Sequence, residues 1–165
     1  LPISLAIWMG LRQSEILGLR WKDVGGETLH IRSAIVMGED GPVEKGTKTF
    51  SGSRDIYIPS HIKELLDAAD HKGDHVINLS GKAIYSGFSR ICEKAGVPHF
   101  RFRELRHANA SLMLAVGIPD KYSMKRMGHA TNNMLKTTYQ HTIKEKEIEY
   151  NTKLENYLDE LLGQK

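Results

Sequence analysis

Apolar residues fill most of the first nine positions, LPISLAIWM, and Gly10 closes the run, which predicts a buried helix over 1–9. Ser14 can cap a second short helix carrying Ile16, Leu17 and Leu19. The period then changes. Over 28–36, Leu29, Ile31 and Ile35 are apolar while His30 and Arg32 are polar, the alternation of a half-exposed strand. Residues 38–46 are rich in turn formers and 54–58 alternate again, so a small antiparallel sheet is expected near the N-terminus. The stretch 43–53 offers a further strand around a loop bearing Lys48.

From Pro59 onward the pattern is mainly helical. Ser60 caps a helix with Ile62, Leu65, Leu66 and Ala69 at helical spacing, and 75–79 reads as a short strand. A helix over 81–95 is ended by Gly96 and Pro98. Leu105, Ala108, Leu112, Ala115 and Val116 form one apolar stripe that stops at Gly117. Pro119 starts another helix, and a further one leads into Tyr139. Within 143–162, Tyr150, Leu154, Tyr157 and Leu161 share one helical face, which either completes the chain's own core or is offered to a neighbouring protomer. The fold class is α+β, mainly helical, and 165 residues suit one domain with its own core.

Composition narrows the picture only slightly. Hydrophobic content of 40% and charged content of 26% are ordinary for a globular protein, and a net charge of +3 hints at anionic partners. Cys92 is the only cysteine, which rules out an intrachain disulfide and fits a reducing cytoplasm. No HExxH occurs, and His71 and His75 are separated by Gly73 and Asp74, so no metal or cofactor is expected. No apolar run approaches the ~20 residues that span a membrane. The apolar opening has no basic run before it and no initiating methionine, which argues against a signal peptide and for a fragment whose first helix is already under way.

The candidate chemistry lies in cations, a histidine and a tyrosine. Cleaving a phosphodiester with a side-chain hydroxyl needs fixed donors to the non-bridging oxygens, a nucleophile and an acid for the leaving oxygen. Arginine suits the first task because its planar fork matches phosphate and stays charged. Lysine suits the last, and tyrosine serves as nucleophile where cations stabilise its phenolate. Arg12 in GLRQSEILGLRW, Lys48 in GTKT, Arg103 and Arg106 in RFRELRH, and His129 with Tyr139 in MGHATNNMLKTTYQH supply these types. Taken one at a time they are weak. Arg12 and Glu15 are equally an ion pair at a helix start, and Arg103 and Arg106, three apart, are equally a solvated basic face or a pair held by phosphate or by a buried carboxylate.

Their order resembles the tyrosine recombinase (phage integrase) family over residues 1–142. GLRQSEILGLRW is similar to its first arginine box, with Arg12 as first catalytic arginine and Glu15 as supporting acid. GTKTFSGSRDIYIP is similar to the segment whose lysine sits on a β-hairpin turn, which points to Lys48 with Lys45 as competitor. ELRHANASLMLAVG is similar to the second box, with Arg106 as second arginine and His107 beside it, and the last motif supplies His129 and the nucleophile Tyr139. The resemblance implies the catalytic-domain fold of the DNA breaking–rejoining enzymes. It implies a 3′-phosphotyrosyl intermediate formed without metal or ATP, double-stranded DNA as partner, and a tetramer on DNA from a chain that is a monomer or weak dimer alone. It also implies a bacterial cytoplasmic setting, and it places 143–162 as a helix docking on a neighbour. The upstream region with which such proteins clamp DNA is not in this sequence.

One position departs from the pattern. The second box normally begins with histidine three residues before its arginine, and here Arg103 stands there. Histidine shuttles a proton near neutral pH and arginine does not. The departure implies two alternatives to an active recombinase: a relative that binds DNA without cutting it, or a type IB topoisomerase-like enzyme, a class that tolerates a cation at this position.

Overall fold

The computed structural model describes residues 1–46, 52–128, 149, 151–156 and 160. The chain runs through α1 (Pro2–Met9), α2 (Gln13–Gly18), a 3-10 turn (Trp21–Asp23), β1 (Val24–Gly25), β2 (Thr28–Ile31), β3 (Ser33–Gly38), β4 (Gly41–Gly46) and β5 (Arg54–Tyr57). Then come α3 (Ser60–Asp67), α4 (Gly81–Lys94), α5 (Glu104–Ala115) and α6 (Asp120–Met127). The expected class is what is observed: mainly helical, with small antiparallel sheets near the N-terminus. Among the described residues, no helix is long and apolar enough to cross a membrane.

The first helix forms as its sequence predicts. Proline at its start has φ preset for a helix, and Leu5, Ala6 and Met9 are buried. Gly10 ends it in the left-handed region at φ 69, where a Cβ would stand 2.7 Å from both Asn109 Oδ1 and Met127 Sδ. The second helix starts two residues earlier than a Ser14 cap suggests. Arg12 is its N-cap residue, because the Glu15 carboxylate accepts from the Arg12 backbone N–H at 2.9 Å.

The alternating run over 28–36 is not one strand. It breaks at Arg32, so β2 pairs antiparallel with β1 and β5 while β3 pairs with β4. The glycine-bearing stretch expected as turns is instead the β3–β4 hairpin, closed by Glu39 and Asp40, with Gly38 opposite Gly41. Most of β4 is exposed, so no buried face imposes a period of two on its sequence. Residues 75–79 are not a strand. A single bridge joins Arg20 to His75, and Val76 N–H bonds to Leu19 O at 2.9 Å, which ties this segment to the loop after α2 and not to a sheet.

Among the later helices, Ser80 caps α4 by accepting from Ala83 N–H at 3.1 Å, and Ile84, Phe88 and Cys92 line its buried face. In α3 the cap is Pro59, with Ser60 the first helical residue, and Leu65 is exposed while Ile62 and Leu66 are buried. The stripe expected on α5 is rotated. Leu112 and Val116 are exposed, and the buried face is Leu105, Arg106, Asn109, Ala110 and Met113. Two polar side chains occupy buried positions because backbone carbonyls receive them, Arg106 from Gly10 and Met127, and Asn109 from Trp8. The main core joins α1, α2, β2, β5, α3, α4 and the start of α5; a smaller cluster of Ala110, Met113 and Met127 lies between α5 and α6. In the C-terminal stretch, residues 151–156 are helical with Leu154 exposed, and Tyr150, Tyr157 and Leu161 lie outside the described residues.

The close approach of α2 to β3 gives a stability prediction with an unusual sign. A Cβ on Gly18 would lie 2.8 Å from Ala34 Cα and 2.9 Å from Ala34 N, backbone atoms that cannot swing aside. Alanine normally gains ~0.5–1 kcal/mol over glycine in a helix. Gly18→Ala should instead destabilise the domain by about 1–3 kcal/mol, the usual cost of overpacking, measured as a lower midpoint in urea at unchanged slope.

Candidate active site

The site is organised by a carboxylate. Glu15, at the first turn of α2, has a side chain only 4% exposed, and three arginines surround it, one from the cap of its own helix and two from distant parts of the chain. Arg12 Nη1 donates to Glu15 Oε1 at 2.7 Å. Arg54, at the start of β5 and 3% exposed, donates from Nη1 to Oε1 at 3.0 Å and from Nη2 to Oε2 at 2.9 Å, a two-pronged pair. Arg106 Nη1, in the first turns of α5, stands 3.8 Å from Oε2.

The same three guanidiniums also reach the C-terminal end of α6. Arg54 Nε donates to Arg126 O at 2.7 Å, Arg106 Nη2 to Met127 O, and Arg12 Nη2 to Gly128 O at 3.0 Å. Three consecutive carbonyls therefore receive one arginine each. The last carbonyls of a helix have no partner within it and carry the negative end of its dipole, so they attract cations. Gly128 ends α6 in the left-handed region at φ 62, which turns the chain away and leaves those carbonyls accessible. A second helix end contributes in the same way. Gly10 O accepts from Arg106 Nη1, and Trp8 O accepts from Asn109 Nδ2 and from Arg126 Nη2, each at 3.2 Å.

The electrostatics follow from burial and proximity. Burial alone would raise the Glu15 pKa, but hydrogen bonds and charge from Arg54, then the backbone and charge of Arg12, outweigh it and hold it at about 2. Burial, and then the charge of Arg12, push the Arg106 guanidinium down to about 9 against the opposing pull of Glu15, and it remains protonated at neutral pH. One carboxylate among three guanidiniums leaves surplus positive charge. Arg12 is the most open of the three, its side chain 40% exposed.

The sequence-predicted residues divide as follows. Arg12, Glu15 and Arg106 come together, and the anion beside Arg106 is a buried glutamate, one of the two partners its spacing allowed. Arg103 does not join them. It is the N-cap residue of α5, its side chain is 66% exposed, and it pairs with its neighbour Glu104 at 3.3 Å. His107 is half-buried beside Arg106. Lys45 lies exposed on β4. Lys48, His129 and Tyr139 lie outside the described residues. Arg54 is the residue that motif reading passed over, although a signal existed: it is in phase with Ile56 and Ile58 on the buried face of its strand. Among the described residues, no three His, Cys, Asp or Glu side chains gather into a metal-binding set. A groove of about 860 Å³ between α2, the β3–β4 hairpin and the start of α4 is mainly apolar and is lined by none of Arg12, Glu15, Arg54 and Arg106.

The folded-state pKa of Glu15 lies below its ordinary value of 4.5, so its contribution to stability is complete above about pH 4.5 and is lost as pH falls toward about 2. Glu15→Gln should cost about 3–5 kcal/mol at neutral pH, because Arg54 is left buried without its anion. It should also flatten the acid limb of the stability profile, read by urea unfolding between pH 7 and pH 2.

The family model of the Phage integrase family matches residues 1–146. A putative prophage phiRv2 integrase of Mycobacterium tuberculosis is 31% identical over 165 residues, which cover 89% of this chain and 43% of that protein. A tyrosine recombinase XerC-like protein of Caldanaerobacter subterraneus subsp. tengcongensis is 25% identical, covering 84% of this chain and 44% of that protein. The chain thus spans less than half the length of these two relatives. Among solved structures, the Tn1549 transposon integrase in complex with transposon right end DNA is similar at a TM-score of 0.73 and 20% identity, over 88% of this chain and 56% of that one. A lambda integrase dimer bound to a COC′ core site is similar at 0.59 and 23% identity, over 83% of this chain and 50% of that one. With the arginine cluster set on this fold and residues 1–146 matched, the chain belongs to the phage integrase family and has the catalytic-domain fold of the tyrosine recombinases.

Proposed function

We propose that residues 1–165 form the catalytic domain of a site-specific DNA integrase that cuts and rejoins double-stranded DNA through Tyr139. The observation that supports this most directly is the surplus positive charge of Arg12 and Arg106 around buried Glu15, fixed at the end of the helix that leads into His129. The Tyr139 oxygen gives up its proton to solvent water and bonds to the scissile phosphorus, the bond from phosphorus to the 5′ oxygen breaks, and Lys48 protonates that oxygen. Arg12 and Arg106, with His129, hold the non-bridging oxygens as negative charge grows on them. The tyrosyl ester keeps the energy of the broken bond, so the reverse attack by a 5′ hydroxyl rejoins DNA without a further energy source.

Similar structures solved with DNA support DNA as the partner. Recombination of two duplexes would assemble four protomers, and the exposed Leu154 on the helical residues 151–156 supports an apolar face offered to a neighbour. A second reading, a relative that binds DNA without cutting, is favoured by one observation. Arg103, at the position where the family's pattern has a histidine able to shuttle a proton, is a solvated cation paired to Glu104.

A nicked duplex carrying the junction sequence of the element that encodes the protein separates the two. The full-length protein should form a covalent adduct on it, seen as a protein–DNA band in denaturing gels, and Tyr139→Phe should abolish the band. An adduct that survives Tyr139→Phe overturns the assignment of the nucleophile. No adduct from the natural protein, with recovery on Arg103→His, establishes the second reading. Relaxation of supercoiled DNA without recombinant products would point to the topoisomerase-like activity.

A further inference from the structure

We propose that Arg54 is a positioning residue for the phosphate-binding arginines, acting through Glu15 and the end of α6 rather than on the DNA. This rests on the phosphate-binding reading of Arg12 and Arg106. Arg54 is too deeply buried to reach a duplex, since its side chain is 3% exposed. Yet it makes four hydrogen bonds, two to Glu15, one to Arg126 O and one to Gly52 O at 3.3 Å. It therefore ties α2, the start of β5 and the last turn of α6 to one planar group.

The geometry shows what that connection does. Glu15 Oε2 is taken by Arg54 at 2.9 Å, while Arg106 stands off at 3.8 Å and spends its donors on Gly10 O and Met127 O. Without Arg54, a buried carboxylate would lack its two-pronged partner, and Arg106 is the nearest cation able to move onto it. Such a move would turn Arg106 away from the helix ends that fix its fork. Arg12 shares the same carboxylate and the adjacent carbonyl of Gly128, so its aim depends on the same group. A guanidinium is needed because Nε and both Nη atoms are used at once, in three directions. A lysine would keep the charge beside Glu15 but could not reach Arg126 O as well.

The test uses the full-length protein with Arg54→Lys, and a nicked duplex made in two forms. One carries an ordinary scissile phosphate; the other carries a methylphosphonate there, in which a methyl group replaces one charged oxygen. The neutral form has little need of arginines, so losing their aim should matter little on it. Arg54→Lys is expected to slow adduct formation on the phosphate by about 10–100-fold, the range seen when supporting partners of a site are removed, with unchanged DNA binding in gel shifts and a rate close to the natural protein's on the methylphosphonate. Equal slowing on both substrates overturns the proposal, as does no slowing on either. An Arg54→Lys variant that fails to melt cooperatively also overturns it, because charge beside Glu15 is retained and the remaining bonds would then be serving the fold. Arg12→Ala and Arg106→Ala serve as references. If they too lose equally on both substrates, the phosphate-binding reading itself fails; if they show the selective loss and Arg54→Lys does not, only the role of Arg54 fails.

Discussion

The ion cluster on Glu15 is the constraint to which the rest of the site conforms. A carboxylate this deeply buried is unfavourable unless paired and hydrogen-bonded, and guanidiniums as buried as Arg54 and Arg106 cannot lie near each other without an anion between them. Each member is thus tolerable only because the others are present. That mutual dependence fixes three separate features: the start of α2, which brings Glu15 back over Arg12; the phase of β5, which turns Arg54 inward; and the rotation of α5, which buries Arg106 in place of Leu112.

Helix ends do the remaining orientation. The C-terminal turns of α1 and α6 both finish at left-handed glycines, and their unpaired carbonyls converge on Arg106 and its neighbours. A charged side chain aimed by mobile surface side chains keeps much of its rotamer freedom. One held by the backbone of two helices loses it on folding, before any ligand arrives. In the proposed reaction, where charge appears only at the height of the barrier, such preorganisation is an advantage. It also explains why Gly10 sits against both Asn109 and Met127: a side chain there would push apart the two helix ends that hold the fork.

The parts of the fold that the sequence made legible are those in which one face is buried by apolar residues alone, such as α1, with Leu5, Ala6 and Met9, and α4, with Ile84, Phe88 and Cys92. Pattern reading failed where polar side chains go inside. On α5 the apolar stripe through Leu112 and Val116 was the wrong face because Arg106 and Asn109 are buried against backbone carbonyls, an arrangement set by residues nearly a hundred positions away. The β3–β4 hairpin was only partly legible, its strands overlapping the runs 28–36 and 43–53, because β4 is exposed on most of its surface and has no inside to mark where it starts. Arg12, Glu15 and Arg106 were legible as motif members. Arg54 was not, because an arginine at the head of an alternating strand reads as its polar phase unless it is noticed to be in step with Ile56 and Ile58.

The contrast between Arg103 and Arg106 then separates two tasks that adjacency in sequence would merge. Arg106 is immobilised, shielded from water and still charged at neutral pH, which suits holding a phosphate. Arg103 is solvated and engaged with Glu104, and a screened surface pair of that kind contributes ~0–1 kcal/mol. Phosphate holding in the proposed reaction therefore does not depend on Arg103. In the proposed reaction that position would instead take the tyrosine's proton, which an arginine cannot receive. The two positions are anchored differently: one in buried ion pairs and helix ends, the other at a solvated corner of α5. A substitution at that corner therefore leaves undisturbed the cluster on which the fold around Glu15 depends, so any change it makes in the proposed reaction is separable from phosphate holding.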